Sequence, residues 1–316
     1  MKKKKSVIKR KVKLKKTATK KSSKKKIIQK KNPVILSKIT KKKPQMSETE
    51  PVIRKVNIEN LKKIDLKGLI SKPKTEIKKI ERIPIGIKNL NEMIGGGLQK
   101  NSTNLVVGGA GSGKTIFAMQ FLMEGLKRNE KCLYISFDEK KDFFYTNMKE
   151  IGWDLANEEK KGNFFFLEYT PQKVKIMLEE GGGIIENLVL SKKITRIVID
   201  SITSFLFLFK EEIEEREATL SLINLLSKWD TTTIITYEGD PSRENKTILK
   251  TSSRILELES DSIVLFYFLR NKGERERYLE ILKVKGVKHP TGIFPFTIEK
   301  GGLNVSKSPY KGSLDL

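Results

Sequence analysis

Cysteine and histidine are almost missing from this chain: Cys132 and His289 are the only ones in 316 residues. A single thiol cannot close an intramolecular disulfide, and one thiol with one imidazole is too few for a Cys/His metal site. Cys132 stands in the apolar run Cys132-Leu133-Tyr134-Ile135, which predicts a buried structural place. No run approaches the ~18 apolar residues of a membrane span; Ile202 to Phe209 is the most apolar stretch and is far shorter. No repeat of 20 to 50 residues recurs, which sets solenoids aside. Acidic residues are absent up to Lys43, and residues 1–45 hold no aromatic side chain. Of the 64 Lys and Arg, 30 fall in residues 1–80 beside only 5 of the 38 Asp and Glu, which leaves 34 basic against 33 acidic residues after them. Nearly all of the formal charge of +26 is therefore N-terminal.

Self-repulsion and scarce apolar surface predict a disordered Lys-rich tail over residues 1–46, followed by a linker over 47–80 with one short helix. The tail is too charged for a secretory signal and prefers Lys where organellar targeting peptides prefer Arg. Three uses fit it: plain solvation, contact with nucleic acid through residues 1–45, and an anionic membrane surface. Without aromatic residues, nucleic-acid contact would run through the phosphate backbone and weaken with salt. A soluble, reducing, cytoplasmic setting is the expectation.

From Arg82 onward, apolar strand-like runs alternate with helical patterns, as in a parallel sheet with crossover helices. Strands are predicted at 102–107, 131–137, 164–167, 196–200 and 232–237. Helices are predicted at 87–94, at 142–151 with Asp142 near its cap, at 172–190 with a break at Gly181-Gly182-Gly183, and at 211–229. Toward the C-terminus, 262–270 and 276–285 read as an antiparallel hairpin, and 296–299 with 303–305 as a second. The domain so delimited is 81–305, with residues 306–316 as a C-terminal tail.

Residues 108–115 read Gly108-Gly109-Ala110-Gly111-Ser112-Gly113-Lys114-Thr115, the phosphate-loop pattern G-x-x-x-x-G-K-[ST] between a buried strand and an apolar helix. The glycines let the backbone aim its N–H groups at phosphate oxygens, where the helix dipole adds to the attraction. Lys114 would reach the β and γ phosphates of ATP, and Thr115 would ligate Mg2+. Asp200 ends the run Arg196-Ile197-Val198-Ile199, so it sits at the same sheet edge and is the second candidate metal ligand. Asp138-Glu139 ends another strand there, placed to orient or deprotonate a water; on spacing alone, a solvated acidic loop fits as well.

A wider pattern surrounds these residues. Arg82-Ile83-Pro84-Ile85-Gly86-Ile87-Lys88-Asn89-Leu90-Asn91 and the triplet Gly95-Gly96-Gly97 resemble the segment that precedes the phosphate loop in KaiC-like ATPases of the RecA superfamily. Tyr134-Ile135-Ser136-Phe137-Asp138-Glu139 resembles that family's Y-[VI]-[ST]-F-E-E, Gly152-Trp153-Asp154-Leu155 its G-W-D-[LF], and Ile199-Asp200-Ser201-Ile202-Thr203 its [IV]-D-S-[LIV]-T. Leu282-Lys283-Val284-Lys285-Gly286-Val287-Lys288-His289 and Pro295-Phe296-Thr297-Ile298 are similar to L-K-[ML]-R-G-[TS]-x-H and P-F-x-I. The matches run in order from 82 to 305.

The resemblance implies a RecA-like P-loop fold, a homo-oligomeric ring such as a hexamer, and ATP with Mg2+ bound between neighbouring subunits. It makes Glu139 the water-activating catalytic base beside Lys114. Asp138 stands where the family has Glu, one methylene shorter. Lys283 and Lys285 fall where the family reaches across to the neighbour's γ-phosphate, Lys285 replacing an Arg and so lacking a bidentate fork; read without the family, they are alternate exposed positions of a strand. Thr236-Tyr237-Glu238 corresponds to the family's T-S-E, and His289 to its His; Trp153 and Trp229 read as core anchors. Three functional readings follow: an ATPase whose binding or slow hydrolysis drives a regulatory or signalling switch, a DNA-binding recombinase-like or recombination-accessory ATPase that uses the basic tail, and an ATP-bound structural switch of an archaeal motility motor.

Overall fold

The computed structural model describes residues 80–180, 183–242, 254–271, 273–312 and 314. The expected tail over 1–46 and all of the linker except Ile80 lie outside them. Eleven strands and nine helices occur among the described residues. In chain order they are β1 (Arg82–Ile83), α1 (Lys88–Met93), β2 (Leu98–Gln99), β3 (Thr103–Gly108), α2 (Lys114–Lys127), β4 (Cys132–Ser136), α3 (Lys141–Glu150), α4 (Leu155–Lys160), β5 (Phe164–Glu168) and α5 (Pro171–Glu180). There follow α6 (Ile184–Lys192), β6 (Arg196–Asp200), α7 (Ile202–Leu206), α8 (Glu212–Lys228), β7 (Thr232–Glu238), α9 (Arg254–Glu259), β8 (Ser262–Asn271), β9 (Glu274–Val284), β10 (Ile293–Glu299) and β11 (Gly302–Val305).

Nine strands form one sheet in the order β11-β10-β9-β8-β3-β7-β6-β4-β5. The six from β8 to β5 are parallel to their neighbours, and β9, β10 and β11 continue antiparallel. Such an arrangement is a mostly parallel α/β sheet with antiparallel C-terminal strands. Strand side chains alternate faces with period two. Accordingly Val106, Val198 and Ile234 join one core with α1 to α4, whereas Leu105, Val107, Ile197, Ile199 and Ile235 join a second core with α5 to α9. Both faces of the central strands are therefore covered, which explains why Val, Ile and Leu stand at consecutive positions in them instead of alternating with polar residues.

Arg196, at the start of β6, is wholly buried. Its guanidinium donates to Glu130 at 2.6 and 3.0 Å and to the carbonyls of Pro84 and Phe121 at 2.7 and 2.8 Å, and it lies 4.7 Å above the Phe121 ring centroid. It thereby ties β6 to the N-terminal segment and to α2. Gly125 makes room: a Cβ there would stand 2.6 Å from the Arg196 Cδ and Nε. That need outweighs the ~1 kcal/mol that glycine costs inside a helix.

Several details depart from the sequence expectations. Asp142 does not cap α3 but lies in its first turn, the cap position being Lys140 without a side-chain bond. The break expected within 172–190 is present, by contrast: the stretch is two helices, with Gly183 at φ +140° before the second. Helices α4, α7 and α9 and the β1–β2 pair were not foreseen; α4 is capped by Asp154, which accepts the Asn157 N–H at 3.1 Å. Residues beyond 305 keep contact with the sheet, since the Tyr310 N–H donates to the Ile293 carbonyl at 2.8 Å and its ring meets Tyr278 edge-on. Cys132, Trp153 and Trp229 are buried as expected. Among the described residues no helix is long and apolar enough to cross a membrane.

Candidate nucleotide site

The phosphate loop links β3 to α2. Gly111 and Gly113 adopt φ +73° and +107°, conformations that side-chain-bearing residues rarely hold. Gly108 has a different reason: an added Cβ would stand 2.5 Å from the Ser112 Oγ and 2.8 Å from Phe266. The N–H groups of the first turn of α2 have no intrahelical acceptors and form the positive end of the helix dipole. The Ser112 hydroxyl is buried with no hydrogen-bond partner. Lys114 donates to the Gly109 carbonyl at 3.0 Å. Burial holds its ammonium below the ordinary lysine range, against the opposing pull of Asp200 and Glu238.

Asp200 collects three hydroxyls from three elements. Its Oδ2 accepts from Thr115 of α2 at 2.7 Å and from Tyr134 of β4 at 2.6 Å, and its Oδ1 from Thr236 of β7 at 2.5 Å. The tips of β6, β4 and β7 lie side by side in the sheet, so these contacts follow from strand order. Burial, then the Asp200 charge, pushes the Tyr134 phenol well above its ordinary range, so it is a donor at any physiological pH. In the Thr236-Tyr237-Glu238 segment Thr236 and Glu238 reach the site, while Tyr237 belongs to the core.

The Asp138-Glu139 pair is not a symmetrical pair of bases. Both oxygens of Asp138 accept from the Ser204 hydroxyl, at 2.7 and 2.9 Å. Glu139 Oε1 accepts from the Asn147 amide at 3.0 Å. The turn carrying them is braced by Ser136, whose hydroxyl accepts the Glu139 N–H and donates to the Glu139 carbonyl. Partial burial raises the Glu139 carboxyl; Asn147 opposes the rise and the Asp200 charge adds to it. Lys114, Thr115, Asp138, Glu139 and Asp200 line one cavity of about 260 Å³.

On the other side of the loop, the Arg277 Nε donates to the Gly111 carbonyl at 3.0 Å, and its guanidinium lies 4.4 Å from the Phe268 ring centroid. Arg277 and Phe296 border a notch of about 680 Å³ where β10 parts from β9. Arg277 was not legible in the sequence, because the run Glu274-Arg275-Glu276-Arg277 looks like a solvated hairpin.

Lys283 and Lys285 lie apart from this cluster. Lys283 pairs with Ile263, and Ile263 with Leu105, three residues before the loop begins, a step of about 10 Å along the strand. Lys285 bonds through its N–H to the Asp261 carbonyl, at the edge where the parallel strands start. The Lys283 ammonium donates to the carbonyls of Glu257 and Leu258 at the end of α9, and Lys285 pairs with Asp261 at 2.9 Å. The His289 Nδ1 lies 3.1 Å from the Pro290 carbonyl, as in a loop residue.

The donor set suits a magnesium triphosphate. Thr115 and Asp200 offer hard oxygens, the Ser112 hydroxyl lacks a partner, and the loop amides and Lys114 supply positive charge. No cluster of three or more His, Cys, Asp or Glu forms a cation cage among the described residues. Mg2+ needs none, since it takes one or two protein oxygens and completes its shell with phosphate and water.

Sheet order and phosphate loop together define a RecA-like P-loop nucleotide-binding fold. The KaiC ATPase family profile matches residues 83–310. The chain is 32% identical over 231 residues to circadian clock protein KaiC3 of Synechocystis sp., a match covering 69% of this chain and 44% of that protein. It is 31% identical over 229 residues to the circadian clock oscillator protein KaiC of Thermosynechococcus vestitus, covering 70% and 43%. A KaiC-like protein from the hyperthermophilic archaeon Pyrococcus horikoshii OT3 superposes with a TM-score of 0.64 at 28% identity, over 72% of this chain and all of that one. The chain belongs to the KaiC ATPase family, and it spans less than half the length of these curated relatives.

Proposed function

We propose that this chain binds Mg-ATP at residues 108–115 and hydrolyses it slowly, at a site that a second copy completes. The observation that carries the reading is the Thr115–Asp200 contact at 2.7 Å in the cavity that also holds Lys114 and Glu139. Loop amides and Lys114 bind the phosphates, Thr115 and Asp200 hold the metal, and Glu139 orients the attacking water and takes its proton. Mg2+, when bound, neutralises charge on the phosphate oxygens. The notch beside Arg277 and Phe296 suits the base.

Lys283 and Lys285 support the second copy, because they sit toward the opposite edge of the sheet and cannot serve the phosphates of their own chain. Slow turnover follows from Asp138 being tied to Ser204 and from lysine standing where a forked guanidinium would clamp the γ-phosphate more firmly. A slow site of this kind suits a regulatory switch between assembled states in the cytoplasm. The charge of residues 1–45 supports an accessory contact with nucleic acid, which would fade steeply with salt and vanish when those residues are removed.

The test is phosphate release from Mg-ATP with size measurement alongside. Lys114→Ala should lose about 100-fold or more in rate; unchanged release would overturn the site. Lys283→Ala/Lys285→Ala should still bind ATP but hydrolyse poorly. Mixing it with Lys114→Ala should restore activity, because each variant supplies what the other lacks. A protein that stays monomeric while binding ATP would sink the interfacial role.

A further inference from the structure

Asn147 is one turn past the buried Phe144 on α3, and the face that anchors this helix fixes where its amide lies. Phe144 and Met148 are buried at i and i+4. The Phe144 ring meets Tyr134 at 4.4 Å and Phe166 at 5.1 Å between centroids. The start of α3 is held as well, by the Lys141 N–H bond to Glu168 at 2.8 Å and the Lys141–Glu159 ion pair at 2.6 Å. A helix so seated presents Asn147 to the loop after β4 at a set height. There its side-chain N–H meets Glu139 Oε1 at 3.0 Å, and it is the one hydrogen-bond donor to that carboxylate among the described residues. Oε2 takes no hydrogen bond from the described residues.

The neighbouring acid is treated differently. Ser204 of α7 occupies both oxygens of Asp138 and so ties the loop to the segment that follows Asp200. One acid thus shares a single hydroxyl between its two oxygens, and the other is held through one oxygen by an amide.

We infer that Asn147 is the positioning residue for Glu139, fixing the carboxylate rotamer that receives the attacking water, and that Asp138 serves as a loop tie rather than as a second base. The inference rests on the ATPase reading proposed above. The groups around Glu139 are Lys114 from α2, Asp200 from β6, Glu238 from β7 and Asp138 beside it, all bordering the same cavity. None of them donates to its carboxylate, so the orienting contact falls to Asn147 alone. An amide that holds one carboxylate oxygen leaves ATP binding untouched and acts on turnover through geometry, where a misplacement of about 1 Å can cost about 100-fold.

The experiment is a double-mutant cycle on steady-state ATP hydrolysis, with nucleotide affinity measured separately. Glu139→Gln should lose about 100-fold or more in kcat. Asn147→Ala should lose about 10-fold in kcat with KM and ATP affinity unchanged, and Asn147→Asp should lose more, since it sets a like charge against Glu139. In the double variant Glu139→Gln/Asn147→Ala the losses should not multiply: kcat should equal that of Glu139→Gln alone. Asn147 is exposed, so its variants should keep the wild-type melting temperature, which separates turnover from folding. Losses that multiply, or an Asn147→Ala protein with wild-type kcat, would overturn the inference while leaving the ATPase reading intact. A wild-type protein that does not hydrolyse ATP, or one indifferent to Lys114→Ala, would overturn both.

Discussion

Arg196 and Lys114 are both drawn out of water, and they are treated in opposite ways. Arg196 at the foot of β6 is fully enclosed, and four hydrogen bonds and an aromatic face meet its guanidinium. Lys114 at the head of α2 has one carbonyl, and its ammonium is held below the usual lysine range chiefly by burial. The first is a structural tie, because the Glu130 carboxylate and two carbonyls take four of its five N–H donors and so offset the cost of burying the charge. The second is left short of acceptors beside the Ser112 hydroxyl, which also lacks one. A site that waits for an anion looks like this, and a site that holds strands together looks like Arg196.

Removing Arg196 gives the largest expected effect. Arg196→Ala strands the Glu130 carboxylate and opens a large void, so the denaturant midpoint should fall by the equivalent of about 3–5 kcal/mol. A drop under about 1 kcal/mol would show that the two cations do not differ in kind. Lys114→Met should do the reverse. It should abolish ATP-dependent protection against melting while leaving the nucleotide-free protein at least as stable as wild type, since the lost charge had little to satisfy it.

The smallest effect is in pH. With its folded pKa below its unfolded one, Lys114 loses its proton earlier in the native state, so the unfolded chain holds more protons between the two values and stability rises with pH there. Wild type should therefore gain on Lys114→Met as pH climbs toward about 10.4, the unfolded lysine value. A gap between the two proteins that stays constant over this range would remove the desolvated-lysine account.

Much of this was visible in the sequence, and what was hidden shares a cause. Strands β3, β4, β6 and β7 fall within about a residue of their apolar runs, because parallel strands buried on both faces need no partner to reveal them. The phosphate loop, Asp200 and Glu139 announce themselves by local order. Helices α4, α7 and α9 have only five or six residues, too few for a period to show. Tyr134 reads as one more core residue in Cys132-Leu133-Tyr134-Ile135; its role appears only when β4 and β6 lie together and its hydroxyl meets an acid 66 residues away. Ser204 and Asn147 are likewise defined by what the fold brings to them. Lys283 and Lys285 read locally as alternate positions of a strand; only the family resemblance gives them a phosphate, the neighbour's, and the fold places them toward the other end of the sheet from their own loop.

That separation decides the symmetry of any assembly built on the contact. The patch that offers the two lysines and the patch that receives them are different surfaces of one chain, so the joint between copies is heterologous. Copies joined in that way follow one another in a single rotational sense. Whether they close or wind on as a filament depends only on the angle turned at each step.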